Sequence, residues 1–204
     1  MSEHLSLKRF SEWVENCEGS EKKESEKFLE KLLKAFGWTD STEARMLYKE
    51  KVPHASITGG LGEVDALIRD LVLVEMKSRG ENLQDHFIQM QRYWIHLTPK
   101  PKYSILCNFD EFWIYDFDIQ AIDPVDKIHT AKISTRYESL SFLFKEKRQP
   151  LFGNNSVEIT EKQARKMGLL LLELKKDSEI HNKYSKEEAQ RFILQCVLCM
   201  FAED

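Results

Sequence analysis

The sequence predicts an α/β protein, in which a central mixed sheet flanked by helices is followed by a small all-α part. Two short aliphatic arms, 62–68 and 71–77, are separated by the polar pair Arg69-Asp70, which is typical of a β-hairpin. A further apolar strand at 103–108 follows a helical segment, so we expect it to run parallel to the second arm. Two helical patterns near the C-terminus, each opened by a capping box, predict the all-α part.

Composition limits the class of protein. The 204 residues are 42% hydrophobic and 31% charged, which fits one substantial core with at most a small appendage. No apolar run approaches the roughly 20 residues of a membrane span, and the N-terminus lacks signal-peptide character, so we expect a cytoplasmic protein without a membrane partner. The net charge of −4 argues against strong non-specific nucleic-acid binding by this chain alone.

Four cysteines without paired spacing are expected to be reduced and buried: Cys17, Cys107, Cys196 and Cys199.

Two helices are predicted before the first strand. The first covers 5–14 and the second 21–36, with Ser20 as the expected N-cap and Gly37 as the expected C′ residue. The first turn of the second helix carries Glu21 and Glu24. At about 100° per residue, Glu21 projects nearer the middle of the apolar face than Glu24 does. A carboxylate there is either a metal ligand or a first-turn charge that favours the helix dipole, and taken alone the pattern favours the second interpretation.

The hairpin carries the candidate site, and a strand over 44–52 precedes it. With a period of two, Leu73, Glu75 and Lys77 share one face, so the two charges emerge together at the strand end. If the first arm pairs with the second, Asp65 reaches the same end. Two carboxylates and a lysine at the edge of a buried sheet suit a hard divalent cation and a developing negative charge. The alternative is an ordinary edge hairpin with solvated charges, because so short a pattern often arises by chance.

A helix over 83–97 and two more strands complete the predicted core. Gln89 and Tyr93 are four residues apart and therefore lie on one helix face, although the same spacing fits a surface amide and a half-buried ring. The strand at 103–108 is followed by an alternating strand at 111–117. The segment 118–155 is expected to be irregular, with 140–144 packing back on the domain.

The C-terminal part contains the two capped helices. The capping boxes are Thr160–Gln163 and Ser185–Glu188. Cys196 and Cys199 are interpreted as core residues and not as zinc ligands, because no histidine or second cysteine pair is near. The chain ends at Asp204 within the second helix, so we expect a fragment whose apolar helices pack on a following domain.

Several segments resemble a known protein family in their residues as well as in their secondary-structure patterns. They are residues 21–37, 68–83 with Glu75-Met76-Lys77-Ser78-Arg79-Gly80, 93–94, 106–117 with Leu106-Cys107-Asn108-Phe109-Asp110, and 191–204. Together they resemble the N-terminal region of large single-chain restriction-modification enzymes of the MmeI-like type (types IIG and IIL). The resemblance covers nearly the whole chain.

The resemblance implies a PD-(D/E)XK endonuclease domain over 1–153. Residues 154–204 would be a helical connector leading to an adenine-N6 DNA methyltransferase and a target-recognition domain outside this chain. The family pattern of Asp, nine residues and Glu-x-Lys is matched by Asp65 and Glu75-Met76-Lys77. The helix glutamate falls on Glu21, with Glu24 left open, and the Q-x-x-x-Y element falls on Gln89 and Tyr93.

Two positions depart from the family pattern. Glu26 stands where similar sequences often have glutamine, and no proline precedes Asp65. Neither departure removes a proposed ligand, but the first leaves the choice between Glu21 and Glu24 open.

The expected function is Mg²⁺-dependent hydrolysis of DNA phosphodiester bonds by one module of a bifunctional restriction-modification enzyme acting in phage defence. Asp65 and Glu75, with Glu21, would bind Mg²⁺ or Mn²⁺, since oxygen ligands suit these ions better than Zn²⁺. Lys77 would orient water or offset transition-state charge. Gln89 and Tyr93 would support the lysine region or contact double-stranded DNA. S-adenosylmethionine would bind only downstream, and the isolated chain would cut weakly or not at all.

A second hypothesis is a catalytically silent docking module of a DNA methyltransferase, which would explain the acidic net charge. A methyltransferase within this chain finds little support. No glycine-rich cofactor loop follows a strand, and no Asn-Pro-Pro-aromatic tetrad is present.

Overall fold

The chain forms two units in the computed structural model, Met1–Asn155 and Ser156–Asp204. The structure describes residues 3–53, 60–153, 165–174, 176 and 185–201. No helix within these ranges is long and apolar enough to cross a membrane. The assignment of 1–153 to a nuclease domain and of 154–204 to a connector stays a prediction.

A six-stranded mixed sheet forms the centre of the first unit. The strands lie side by side in chain order: β1 (Met46–Val52), β2 (Gly62–Ile68), β3 (Val72–Met76), β4 (Tyr103–Cys107), β5 (Glu111–Tyr115) and β6 (Asp126–His129). Strands β3 and β4 pair in parallel, and the other four neighbouring pairs are antiparallel. The predicted α/β class with a central mixed sheet, and the predicted parallel direction of the strand at 103–108, are confirmed.

Helices cover both faces of the sheet. They are α1 (Glu3–Glu15), α2 (Glu21–Ala35) and α3 (Phe87–His96), the last preceded by a 3-10 turn (Leu83–His86). Val72, Val74 and Met76 belong to the apolar cluster that contains the buried side chains of α1 and α2. Leu73 belongs to the other cluster, with the buried side chains of α3. The period-two assignment of strand faces is therefore confirmed, and Glu75 and Lys77 continue the face of Leu73.

The N-terminal end of α2 is capped differently from the prediction, and the C-terminal end as predicted. Ser20 is the N-cap residue, but its side chain makes no capping hydrogen bond. The carboxylate of Glu24 instead accepts hydrogen bonds from the N–H groups of Gly19 (2.7 Å) and Ser20 (3.1 Å). At the other end Gly37 follows the C-cap Phe36 with a φ of +94°, which glycine adopts without the steric penalty of a side chain, as predicted.

Residues 118–153 are more regular than expected. They contain strand β6 and two 3-10 turns (Thr130–Lys132 and Glu138–Leu143). Asp126 in β6 is buried and accepts hydrogen bonds from the Ser139 hydroxyl and from the Gly153 N–H (3.0 Å). The sequence prediction missed β6 because only four residues alternate there. The expected packing of 140–144 against the domain is confirmed, since these residues are buried.

The second unit is helical where it is described. Its helices are α4 (165–174) and α5 (Lys186–Phe201). The predicted capping box of α5 is confirmed: Ser185 N–H donates to Glu188 Oε2 (2.6 Å), and Glu188 N–H donates to Ser185 Oγ (3.2 Å). The capping box predicted at Thr160–Gln163 and the side chain of Cys199 lie outside the described residues. Cys196 is only half-buried, so it does not occupy the core position that the sequence predicted.

Candidate active site

The candidate site lies where β3 leaves β2 but remains paired with β4. The β2–β3 ladder reaches only Ala66 opposite Val74, whereas β3 continues along β4 to Met76 opposite Cys107. The N–H of Met76 donates to Asp65 Oδ2 at 2.8 Å. A carboxylate thus replaces the next rung of the backbone ladder, which fixes Asp65 against the end of β3.

Glu75 and Lys77 form a buried ion pair at this strand end. Lys77 Nζ lies 2.9 Å from Glu75 Oε1 and 3.7 Å from Glu21 Oε1. Glu75 is 2% exposed, Lys77 6% and Asp65 5%, whereas the side chain of Glu21 is 29% exposed. The ordinary edge hairpin with solvated charges is therefore wrong, because these three groups of the hairpin are removed from water.

Gln89 and Tyr93 reach the same group from α3. Gln89 Nε2 donates to Glu75 Oε1 and to Tyr93 Oη, each at 3.0 Å. Glu75 Oε1 thus accepts from Gln89 and from Lys77. Its other oxygen, Oε2, is buried and has no hydrogen-bond partner in the part of the chain that the structure describes. An unpaired buried carboxylate oxygen is costly, so a cation or water at this position would relieve that cost.

The N-terminus of α2 is attached to the chain that follows β3. Glu21 N–H donates to Ser78 Oγ (3.3 Å), and Arg79 N–H donates to the carbonyl of Gly19 (2.8 Å). These contacts bring Glu21 to the site. Glu24 instead caps its own helix, and the hydrogen bonds from backbone N–H groups, chiefly that of Ser20, lower its pKa. Of the two candidate helix carboxylates, the structure brings Glu21 and not Glu24 next to Lys77.

Burial dominates the electrostatics of the site. It raises the pKa of Glu75 to about 7; the charge of Lys77 opposes this shift and the charge of Asp65 adds to it. Burial alone would lower the pKa of Lys77, but the charge and hydrogen bond of Glu75, with smaller contributions from Glu21 and Asp65, raise it above the ordinary lysine value. Lys77 is consequently a permanent cation near neutral pH, and Glu75 is a carboxyl group that titrates there.

One charged residue of the site was missed by the sequence prediction. Lys49, in β1, forms an ion pair with Asp65 Oδ1. The register between β1 and β2 would have identified Lys49. Tyr48 pairs with Ala66 and Glu50 with Val64, so Lys49 lies opposite Asp65. The alternation of β1 alone gives no such register, because alternation within one strand does not fix how that strand pairs with its neighbour.

The donor set suits a hard cation with few protein ligands. Within the described ranges, no group of three or more His, Cys, Asp or Glu side chains is arranged as a metal-binding cluster. Mg²⁺ commonly binds through one or two carboxylates and keeps several waters, so Asp65 and Glu75 with a nearby Glu21 fit it better than they fit a fully protein-ligated ion.

Comparison with known proteins identifies a family for this chain. The family described as MmeI, N-terminal domain, matches residues 5–177, a range that includes every residue of the candidate site. The comparisons with curated proteins and with solved structures gave no match. Because the family match covers most of the sequence, the chain belongs to the MmeI N-terminal domain family, a family of restriction-enzyme domains.

Proposed function

We propose that the chain is the Mg²⁺-dependent DNA endonuclease module of a restriction-modification enzyme. The observation that carries the proposal is the buried, unpartnered Glu75 Oε2, next to a second carboxylate and a buried ammonium group. Structural ion pairs usually satisfy their buried oxygens, whereas a catalytic site keeps an acceptor for a ligand. Family membership supports the restriction-enzyme context.

Asp65 and Glu75 are the residues that would bind the cation, and Glu21 would reach it from α2. When bound, a divalent cation supplies Lewis-acid polarisation of a phosphoryl oxygen. Gln89 orients Glu75 by donating to Oε1, which leaves Oε2 as the available oxygen.

Lys77 would stabilise negative charge on the phosphate. Its raised pKa keeps it protonated, so it is suited to donating a hydrogen bond to a phosphate oxygen or to the attacking water and not to removing a proton. Tyr93 accepts from Gln89 and would act by keeping that amide in place.

Affinity for double-stranded DNA would come mainly from elsewhere in the protein. The net charge of −4 supplies little counterion release on binding DNA. We assign sequence recognition to downstream methyltransferase and target-recognition domains, where S-adenosylmethionine would also bind. The present module would then cut only DNA that those domains deliver.

The test is cleavage by the intact enzyme carrying Asp65→Asn or Lys77→Met. We expect each variant to lose at least about 10³-fold in cleavage rate with Mg²⁺, while methylation of the same DNA is retained. Asp70→Asn is the matched control, because Asp70 is exposed in the hairpin turn with a φ of 64°, which asparagine tolerates. Wild-type cleavage by either site variant would refute the assigned roles.

The net charge also favours a second candidate, a silent docking module that attaches a methyltransferase to its partners. Calorimetric titration of Mg²⁺ into the wild-type chain and into Glu75→Ala separates the two. A nuclease module should bind the ion and lose that binding with Glu75, whereas a docking module should bind none in either form.

A further inference from the structure

The second lysine of the site, Lys49, donates to the oxygen of Asp65 that does not accept the backbone hydrogen bond. Asp65 Oδ2 accepts from Met76 N–H, and Oδ1 accepts from Lys49 Nζ. Oδ1 is therefore the more open oxygen for a cation, because Oδ2 is already held by the backbone. A cation bound at Oδ1 and the ammonium group of Lys49 would repel each other there, so the two compete for this atom.

The backbone of Lys49 is in an uncommon conformation for its residue type. Its φ is +54°, in the left-handed region, although neither it nor its neighbours are glycine. The paired residues on either side of it keep one register with β2, but Lys49 itself is absent from the ladder opposite Asp65. A strained residue in a strand interior weakens the sheet, so purely structural needs do not explain it.

The exposure of the two lysines suggests different roles. The side chain of Lys77 is 7% exposed and lies between two carboxylates, whereas that of Lys49 is 43% exposed. A long, half-exposed side chain can leave its partner for water, at a cost no larger than that of one charged hydrogen bond. Burial alone would lower the pKa of Lys49, but its hydrogen bond and charge pairing with Asp65 raise it, so the group remains a cation in this contact.

We propose that Lys49 is a positioning residue that holds Asp65 Oδ1 in the metal-free chain and is displaced from it by the divalent cation. This inference rests on the proposed metal-dependent function. The cation would replace the ammonium group of Lys49 at Asp65, and the cost of removing that group would lower the affinity of the site for the cation. Removing the lysine should consequently tighten metal binding, which is the opposite of what loss of a structural contact would do.

The test is calorimetric titration of Mn²⁺ into the full 204-residue chain at about pH 8, which lies above the raised pKa of Glu75. We expect Lys49→Met to bind Mn²⁺ about tenfold more tightly than the wild type, which corresponds to the loss of one competing charged hydrogen bond. Lys51→Met is the matched control, because Lys51 is an exposed lysine of the same strand and pairs with Glu63. It should leave the dissociation constant within about twofold of the wild type.

A second variant guards against misfolding of the first. Lys49→Gly also removes the ammonium group, and glycine adopts the observed φ without strain, so this variant should fold and show the same tightening. If the wild type binds Mn²⁺ and both Lys49 variants bind it with equal or weaker affinity than the wild type, this inference is wrong and the proposed function is not affected. Absence of Mn²⁺ binding by every chain would overturn the proposed function together with it.

Discussion

Replacing Glu75 by glutamine should change how stability depends on pH. Burial raises the pKa of Glu75 from 4.5 to about 7, so the folded chain binds this proton more tightly than the unfolded chain does. Ionisation of Glu75 therefore lowers the free energy of unfolding as the pH rises from the unfolded pKa to the folded one, and the effect is constant above. Between about pH 5.5 and about pH 8, proton linkage gives a loss of about 2 kcal/mol from this group.

Glutamine lacks this penalty but keeps the accepting oxygen. Its Oε1 can accept from Lys77 and Gln89 as the carboxylate does. We expect the difference in free energy of unfolding between Glu75→Gln and the wild type to shift by about 2 kcal/mol in favour of the variant over that pH range. Urea denaturation followed by circular dichroism at both pH values measures the shift, and Glu63→Gln, an exposed strand residue, controls for loss of a carboxylate.

Mg²⁺ provides a second measurement on the same variants. At about pH 8 the ion should stabilise the wild type by binding the folded state, and it should stabilise Glu75→Gln much less. A difference in unfolding free energy that does not change with pH would refute the assignment of a high pKa to Glu75. Equal stabilisation of both proteins by Mg²⁺ would refute its role as a ligand.

Two further pairs of variants test the α2 end of the site. Glu24→Ala removes the cap of α2 and should lower the unfolding free energy by about 1 kcal/mol while leaving Mn²⁺ affinity unchanged. Glu21→Ala should weaken Mn²⁺ binding, measured by calorimetry, and should change the free energy of unfolding, measured by denaturation, by less than about 0.5 kcal/mol. Weaker Mn²⁺ binding in Glu24→Ala and not in Glu21→Ala would identify Glu24 as the ligand. Gly19→Ala places a Cβ atom 2.4 Å from Arg79 Cβ, whereas Gly37→Ala meets no atom within 4 Å. Both have positive φ, so we expect about 1 kcal/mol of strain in each, with a further loss only in Gly19→Ala, measured by thermal denaturation; equal losses would contradict the close approach of Arg79.

Local sequence patterns predicted the elements that bury apolar surface. The alternation of 72–77 assigned the faces of β3 correctly, because side chains in a strand point alternately to opposite faces. The helix between β3 and β4 implied their parallel pairing, since a short turn can join only antiparallel neighbours. The capping box at Ser185 was equally local, because it needs only two residues three apart.

Contacts between distant segments could not be read in the same way. The capping of α2 by Glu24 instead of Ser20 depends on a loop whose path is set by Arg79, which follows β3. Lys49 was not predicted as a site residue, because its contact with Asp65 follows from the register of β1 against β2. Alternation within one strand does not fix such a register. Strand β6 is too short and too polar to give a pattern, and its buried Asp126 is satisfied by Ser139, thirteen positions away.

The charges of the site suggest why an acidic chain could still act on DNA. When fully ionised, the three carboxylates of Glu21, Asp65 and Glu75 face the two ammonium groups of Lys49 and Lys77, which gives the site a formal charge of −1. A divalent cation would raise that local charge to 0 if the displaced Lys49 moves away and to +1 if it stays nearby, and at short range a local charge acts on a phosphate more strongly than the net charge of the chain does. Binding of the cation and binding of the scissile phosphate should therefore be coupled. The same cation that completes the site would remove the electrostatic barrier to its substrate.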